Sequence, residues 1–266
     1  MPLLKSGSLI LRADRCEGRS AVGAEKRQVN GRFVKVDFHV HTPVSKCYSV
    51  EGVTLDQIVE AAIKADLQAI AITDHNACEA ALPMKEYADS NGLVVFPGIE
   101  LSTQEGHVLA LFETAMPPSL MEDLLEAVGI PRAAHGDGTV FTRSSMEEVL
   151  AEIDQRGGLA IAAHIERWPS GFLETKQSRK TKIRIHNSEH LSALEITQPE
   201  NKDLWSEGKV RNYPKKYPCL QGSDAHSLLD IGRRPTYIKL ERIDLVNMRL
   251  AFQDHRSRIR FPQELP

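Results

Sequence analysis

Five short apolar runs in this chain each end in a histidine or a carboxylate, and that pattern constrains the fold more than any other feature. The run 33–38 leads into His39-Val40-His41, 67–72 into Thr73-Asp74-His75-Asn76, and 93–99 into Glu100. The run 159–163 leads into His164, and 219–223 into Asp224-Ala225-His226. Runs this short, bounded and apolar read as strands buried on both faces of a parallel sheet. Imidazoles and carboxylates supplied by the ends of several strands are how a barrel gathers a metal site at its C-terminal face. That donor mixture suits Zn, Mn or Fe. Its recurrence in one chain points to a polynuclear metallohydrolase.

The segments between these runs fit the same architecture. Thr54 and Gln57 have the spacing of a capping box, ahead of a helical stripe made by Leu55, Ile58, Val59, Ala62 and Ile63. Residues 108–112, 193–197, 220–222 and 237–240 read as further strands, and 119–128, 145–153 and 245–252 as helices. Strand-then-helix order predicts a mainly parallel sheet, closed into a barrel. A chain of 266 residues fits one such α/β domain. Residues 1–31 differ. Their charges and glycines are interspersed without period, so they read as a poorly ordered extension whose only docking candidate is the run 9–11, with the domain spanning 32–266.

The formal net charge of -3 gives no global drive toward nucleic acid or a membrane, so any basic footprint is local. The four cysteines show no CxxC spacing, which fits a reducing compartment. No apolar stretch approaches the roughly 18 residues that span a bilayer. The first ten residues lack a signal-peptide pattern. The expectation is a soluble cytoplasmic protein.

Each candidate donor has a plain alternative. His39 and His41 are two apart on a strand and share a side, as ligands of one ion or as surface histidines leaving a strand. Asp37, in the same register, is placed to orient a histidine. Asp74-His75 is a donor pair or a turn with an aspartate helix cap. Glu100, if buried, must be paired or metal-bound. His107 begins a strand after the polar turn 103–106, as a ligand or an ordinary histidine. His164 lies among small residues that leave room for metals, and Asp224 and His226 repeat the two-apart spacing.

Taken in order, Asp37-Phe38-His39-Val40-His41-Thr42, Thr73-Asp74-His75-Asn76, Gly98-Ile99-Glu100, His107, His164 and Gly222-Ser223-Asp224-Ala225-His226 resemble the polymerase and histidinol phosphatase (PHP) family. The stretch 223–234 looks like bacterial stand-alone or ATPase-fused PHP domains. The resemblance implies a distorted (β/α)7 TIM-like barrel holding two or three divalent ions (Mn, Zn or Fe). It implies hydrolysis of a phosphate ester by a metal-activated water. His39, His41, Glu100 and Asp224 would hold the first ion, and Glu100 would bridge to a second held by His107 and His164. His75 and His226 would hold a third, with one residue from the loop after His41. Cys47 stands in that region, as a zinc-competent thiolate or a space-filling side chain. The implied substrate is a phosphorylated small molecule or a short nucleic acid. An ATPase partner follows by analogy with the fused relatives, since this chain has no G-x-x-x-x-G-K-[ST] loop. The alternatives are a catalytically degenerate PHP scaffold or regulatory module and an amidohydrolase-type deaminase. Against the deaminase stand the Thr-Asp-His-Asn motif, Glu100 and the basic segment that follows His164.

That segment, 166–190, contains Arg167, Lys176, Arg179, Lys180, Lys182 and Arg184 and reads as a phosphate clamp or a solvated charged loop. Arg167, next to a ligand strand, is the first candidate for substrate phosphate. Arg233, in the loop after His226, is the second, or else it forms a structural ion pair. His135 is a candidate proton donor or a loop histidine. Aromatics do not interleave with the basic run, so stacking-based recognition is not written in the sequence.

Overall fold

Short apolar strands alternating with capped amphipathic helices build a nine-stranded mixed sheet. The computed structural model describes residues 28–265, so most of the expected N-terminal extension, with its docking candidate at 9–11, lies outside the described residues. The strands are β1 (Gln28–Val40), β2 (Ala69–Ile72), β3 (Val94–Thr103), β4 (Gly106–Leu111), β5 (Leu159–Ala162), β6 (Ala193–Glu195), β7 (Cys219–Leu220), β8 (Thr236–Arg242) and β9 (Ile259–Arg260). The helices are α1 (Leu55–Lys64), α2 (Ala81–Ser90), α3 (Pro118–Ala127), α4 (Met146–Gln155), α5 (Arg179–Asn187), α6 (Lys202–Ser206), α7 (Leu245–Gln253) and α8 (His255–Arg258). Among the described residues no helix is long and apolar enough to cross a membrane. Strand β1 starts at Gln28, inside the expected extension.

Local signals account for much of this order. Thr54 accepts from the Gln57 backbone N–H, the Gln57 side chain accepts from the Thr54 N–H, and α1 buries Ile58, Val59 and Ala62. Ser145 and Glu148 cap α4 in the same reciprocal way. Helix α2 has no capping side chain and carries Pro83 in its first turn, so neither cap nor period marks it in the sequence. The segment 166–190 is not one charged loop, because Ser178 caps α5 within it.

Strands β1 to β7 form a nearly closed barrel. Neighbours run in the order β7-β6-β5-β4-β3-β2-β1, and the chain just past β7 returns to β1, where Ala225 pairs with Val40. The His41 N–H donates to the Ala225 carbonyl at 3.0 Å, and the Ala225 N–H donates to the His39 carbonyl at 3.2 Å. Strands β8 and β9 continue the sheet antiparallel from the first half of β1.

The expected mainly parallel sheet needs correction, because β4 runs antiparallel to both β3 and β5. Only Gln104 and Glu105 separate β3 from β4, and a parallel pair requires a crossover of a dozen or more residues. The reversal brings the start of β4 to the C-terminal end of β3, where His107 pairs across from Ser102.

Two further details aim side chains at that end of the barrel. On β3, Glu100 shares a face with Val94 and Phe96, which belong to the apolar cluster filling the barrel. Along β1, Val34, Val36 and Phe38 belong to that cluster while Val40 packs with α1 and α2 residues, because the register shifts between Asp37 and Val40. The irregularity turns His39 and His41 inward.

Asp37 fastens the irregularity. Its buried carboxylate accepts from the backbone N–H of His39 at 3.3 Å, Ser223 at 3.0 Å and Gly232 at 2.9 Å, tying β1 to the segment after β7. Asp37→Ala would leave these donors unpaired at about 1–3 kcal/mol each. The variant should therefore lose about 3 kcal/mol or more of unfolding free energy. A urea midpoint unchanged from wild type, at unchanged slope, would contradict this role.

Candidate metal centre

Every barrel strand delivers at least one charged or imidazole side chain to a single cluster. His39 lies on β1 and His41 just past it, His75 follows β2, Glu100 lies on β3, and His107 lies at the start of reversed β4. His164 follows β5, Glu195 ends β6, and Asp224 and His226 follow β7. His164 and Asp224 adopt left-handed backbone angles, φ 27° and 51°. Such angles in non-glycine residues persist where the surroundings enforce them. Gly222 is required beside them, since a Cβ there would stand 2.6 Å from Glu195 Oε1 and 2.7 Å from His39 Cβ.

Glu100 is the hub. It is completely buried and its two oxygens face different donors. Oε2 lies 3.2 Å from His39 Nε2, 3.2 Å from His41 Nε2 and 3.0 Å from His75 Nδ1. Oε1 lies 2.8 Å from His107 Nδ1 and 3.0 Å from His164 Nε2. Asp224 Oδ1 completes the first side, 3.2 Å from His39 Nε2 and 3.1 Å from His41 Nε2. The donor atoms of His39, His41, Glu100 and Asp224 form one compact set, and His41, His75 and His226 form another. His75, Glu100 and His107 form a third.

Hydrogen bonding alone does not satisfy this cluster. His39 Nε2, His75 Nδ1 and Glu100 Oε2 are buried, converge on one another, and have no hydrogen-bond partner. Each orphaned polar atom costs about 1–3 kcal/mol. A divalent cation among neutral imidazoles and ionised carboxylates satisfies all of them. The electrostatics show that the buried carboxylates call for positive charge beside them. Burial pushes the Glu100 carboxyl up, but the imidazoles of His39, His75 and His107 outweigh it and hold the group well below the usual carboxylate range. Burial also opposes ionisation of Asp224, and His39 and His41 overcome it. Among the imidazoles, burial lowers His39, yet Glu195, Glu100 and Asp224 raise it well above the ordinary value. His107 moves down, by burial and by repulsion from His164 and His75.

The structure also assigns residues the sequence left open. Glu195 was not anticipated. Its Oε2 accepts from His164 N–H at 3.0 Å and stands 2.9 Å from His39 Nδ1, so it orients the imidazole whose other nitrogen faces Glu100. A carboxylate interrupting the apolar run 193–197 was the available signal, the same one that marks Glu100. Asp37 acts on the backbone of His39 and not on its ring. Asp74 lies outside the donor sets. It accepts from Thr42 N–H at 2.7 Å, Thr42 Oγ1 at 2.7 Å and Ser45 Oγ at 2.6 Å, which fixes the loop after His41.

That loop brings exposed Cys47 to the cluster, with Sγ 3.1 Å from His226 Nε2. Partial burial raises the thiol's pKa, but hydrogen bonds and charge from His226 and His75 prevail and bring it to about 6. Arg167 reaches the cluster too, its guanidinium paired with Asp224 Oδ2. Arg233 is mostly exposed and pairs with Asp230 at 2.6 Å, the ion-pair alternative, and the structure does not place it among the donors. His135 pairs with Glu79 and also stands apart from them.

Comparison with known proteins agrees with the geometry. A family model described as the PHP domain matches residues 37–198. The uncharacterised protein MJ1587 of Methanocaldococcus jannaschii is 31% identical over 138 residues, covering 49% of this chain and 67% of that protein. Among solved structures, the lesion-specific endonuclease PfuEndoQ from Pyrococcus furiosus superimposes with TM-score 0.60 at 18% identity, covering 84% of this chain and 56% of that one. Endonuclease Q in complex with a 27-mer duplex carrying an abasic lesion gives TM-score 0.63 at 19% identity, covering 84% and 57%. This chain therefore spans little more than half the length of those endonuclease chains. A Bifidobacterium adolescentis protein assigned as a metal-dependent phosphoesterase gives TM-score 0.53 at 19% identity, covering 74% and 88%.

Two outcomes follow for the metals. Protein purified without chelator should carry at least two equivalents of transition metal by elemental analysis, and chelation should lower its melting temperature, because ions bound only to the folded state stabilise it. Less than one equivalent after reconstitution would contradict the donor sets. Cys47 should alkylate fast in chelated protein, with a midpoint near the pKa of about 6, and slowly once metal is restored. Equal rates in both states would remove it from the ligands.

Proposed function

Because the chain belongs to the PHP domain family, we propose that it is a metal-dependent phosphoesterase that cleaves a phosphate ester of a nucleotide or short nucleic acid. The carrying observation is the buried Glu100 carboxylate facing His39, His41 and His75 through one oxygen and His107 and His164 through the other. In this reading Glu100 would help hold an ion on each of its two sides. His39, His41 and Asp224 complete the first, and His107 and His164 the second. His75, His226 and Cys47 form a third. Divalent Mn, Zn or Fe, when bound by these residues, would supply Lewis acidity and a more acidic water.

The remaining roles belong to the chain's own side chains. Glu195 keeps the His39 ring in register with Glu100. Arg167, at the edge of the cluster beside Asp224, binds the non-reacting phosphate oxygens through its planar fork of donors. Likeness of fold to an endonuclease seen with duplex DNA supports a nucleic-acid or nucleotide substrate over a sugar phosphate. Lesion recognition is not carried over.

A metal-supplemented screen of nucleotides, sugar phosphates and short oligonucleotides tests the reading. Glu100→Gln and Asp224→Asn should reduce turnover to background while leaving the fold intact. Glu195→Gln should cost about 10-fold or more, as expected for a partner that orients a metal-bound histidine. Arg167→Ala should raise KM about tenfold with little change in metal content, the loss expected for one charge-assisted hydrogen bond to phosphate. Near wild-type turnover by Glu100→Gln would overturn the assignment.

A further inference from the structure

Beside the cluster lies a cavity of about 410 Å³, lined by His107 together with Phe141, Trp168, Lys176, Gln104 and Gln177 among others. Its two aromatics stand out. Trp168 is 76% exposed and Phe141 43% exposed, and both line this one cavity. They are 27 positions apart in sequence, which is why no interleaved aromatic pattern marks them.

Both walls are built into the barrel. Trp168 sits in a turn closed by Arg167 N–H to the His164 carbonyl at 2.8 Å and Gly171 N–H to the Arg167 carbonyl at 2.7 Å. The His107 N–H donates to the Ser170 carbonyl at 3.0 Å and fastens that turn to β4. Phe141 is held next to β3 by Thr142 N–H donating to the Ser102 carbonyl at 2.8 Å. Gly138 keeps the adjoining loop against the His75 ring, since a Cβ there would stand 2.9 Å from it.

We propose that this cavity is a nucleobase subsite, in which Trp168 and Phe141 stack on the base of a nucleotide whose phosphate lies at the metal centre. The inference rests on the proposed phosphoesterase function for the phosphate end. The cavity itself supplies the rest. A π-face is matched by aromatic walls, whatever the base. The amides of Gln104 and Gln177 offer both donors and acceptors for base edges, and the Gln177 amide nitrogen is already anchored on the Gln104 carbonyl at 3.3 Å. Lys176 and Glu174 also line the cavity, and Lys176 offers a cation to a neighbouring phosphate.

The test separates base binding from turnover by using ligands without phosphate. The chain has two tryptophans, and Trp205 is buried at 3% exposure, so an emission change on titration reports Trp168. Adenosine should quench the emission of the metal-loaded protein and ribose should not. By equilibrium dialysis, Trp168→Ala should weaken adenosine about tenfold, the effect of losing one stacking platform. Trp168→Phe should keep most of the affinity. Phe141→Ala should weaken adenosine similarly. Adenosine that binds no better than ribose, or with unchanged affinity in Trp168→Ala, overturns the inference. Adenosine binding as expected in a protein that hydrolyses no phosphate ester upholds the subsite and overturns the proposed function instead.

Discussion

The upper end of the barrel depends on one buried carboxylate. Glu100 has no solvent exposure and is encircled by five imidazoles, those of His39, His41, His75, His107 and His164. An ionised group so placed is tolerated only when its charge is matched and its lone pairs are occupied. The donors that match it come from four other strands, so the strand ends converge on it from all round. Around that ring a further set of polar side chains fixes the backbone. Asp74 holds the loop after His41, Asp37 holds the β1 irregularity, and Glu195 holds the His39 and His164 sides together.

Most of these donors could be read from the sequence because they interrupt apolar runs where a buried charge has no structural excuse. His39, His41, His75, Glu100, His164, Asp224 and His226 all carry that signal. Glu195 carries it too, but its strand is three residues long and its charge lies inside the run. A barrel was legible from strand and helix order, and its seven strands from the family resemblance. Strand direction was not, because polarity and period do not distinguish a parallel neighbour from a hairpin. The two-residue link between Thr103 and Gly106 did distinguish them, and it was read only as a turn. Arg233 shows a different limit. Nearness in sequence to His226 gives no direction, and its guanidinium turns to Asp230.

Reversal of β4 solves a spacing problem. In a parallel barrel, adjacent strands present their C-terminal ends side by side, and a long crossover separates them in sequence. The hairpin lets Glu100 and His107, seven residues apart, meet at 2.8 Å from neighbouring strands with no helix between them. Ser102 and His107 are paired across the ladder, and Glu100 lies two residues before Ser102 on the same face. The pleat therefore sets the direction of both donors before any ion is considered.

The same hairpin joins the donor side to the cavity. Gln104, at its tip, lines the cavity, and His107 lines it while facing Glu100. The His107 backbone is bonded to Ser170 in the turn that carries Trp168. A ring stacked on Trp168 would thus be registered to His107 through a short, hydrogen-bonded segment of backbone, and His107 in turn to Glu100. Under the proposed function and subsite, this connection would favour a compact nucleotide.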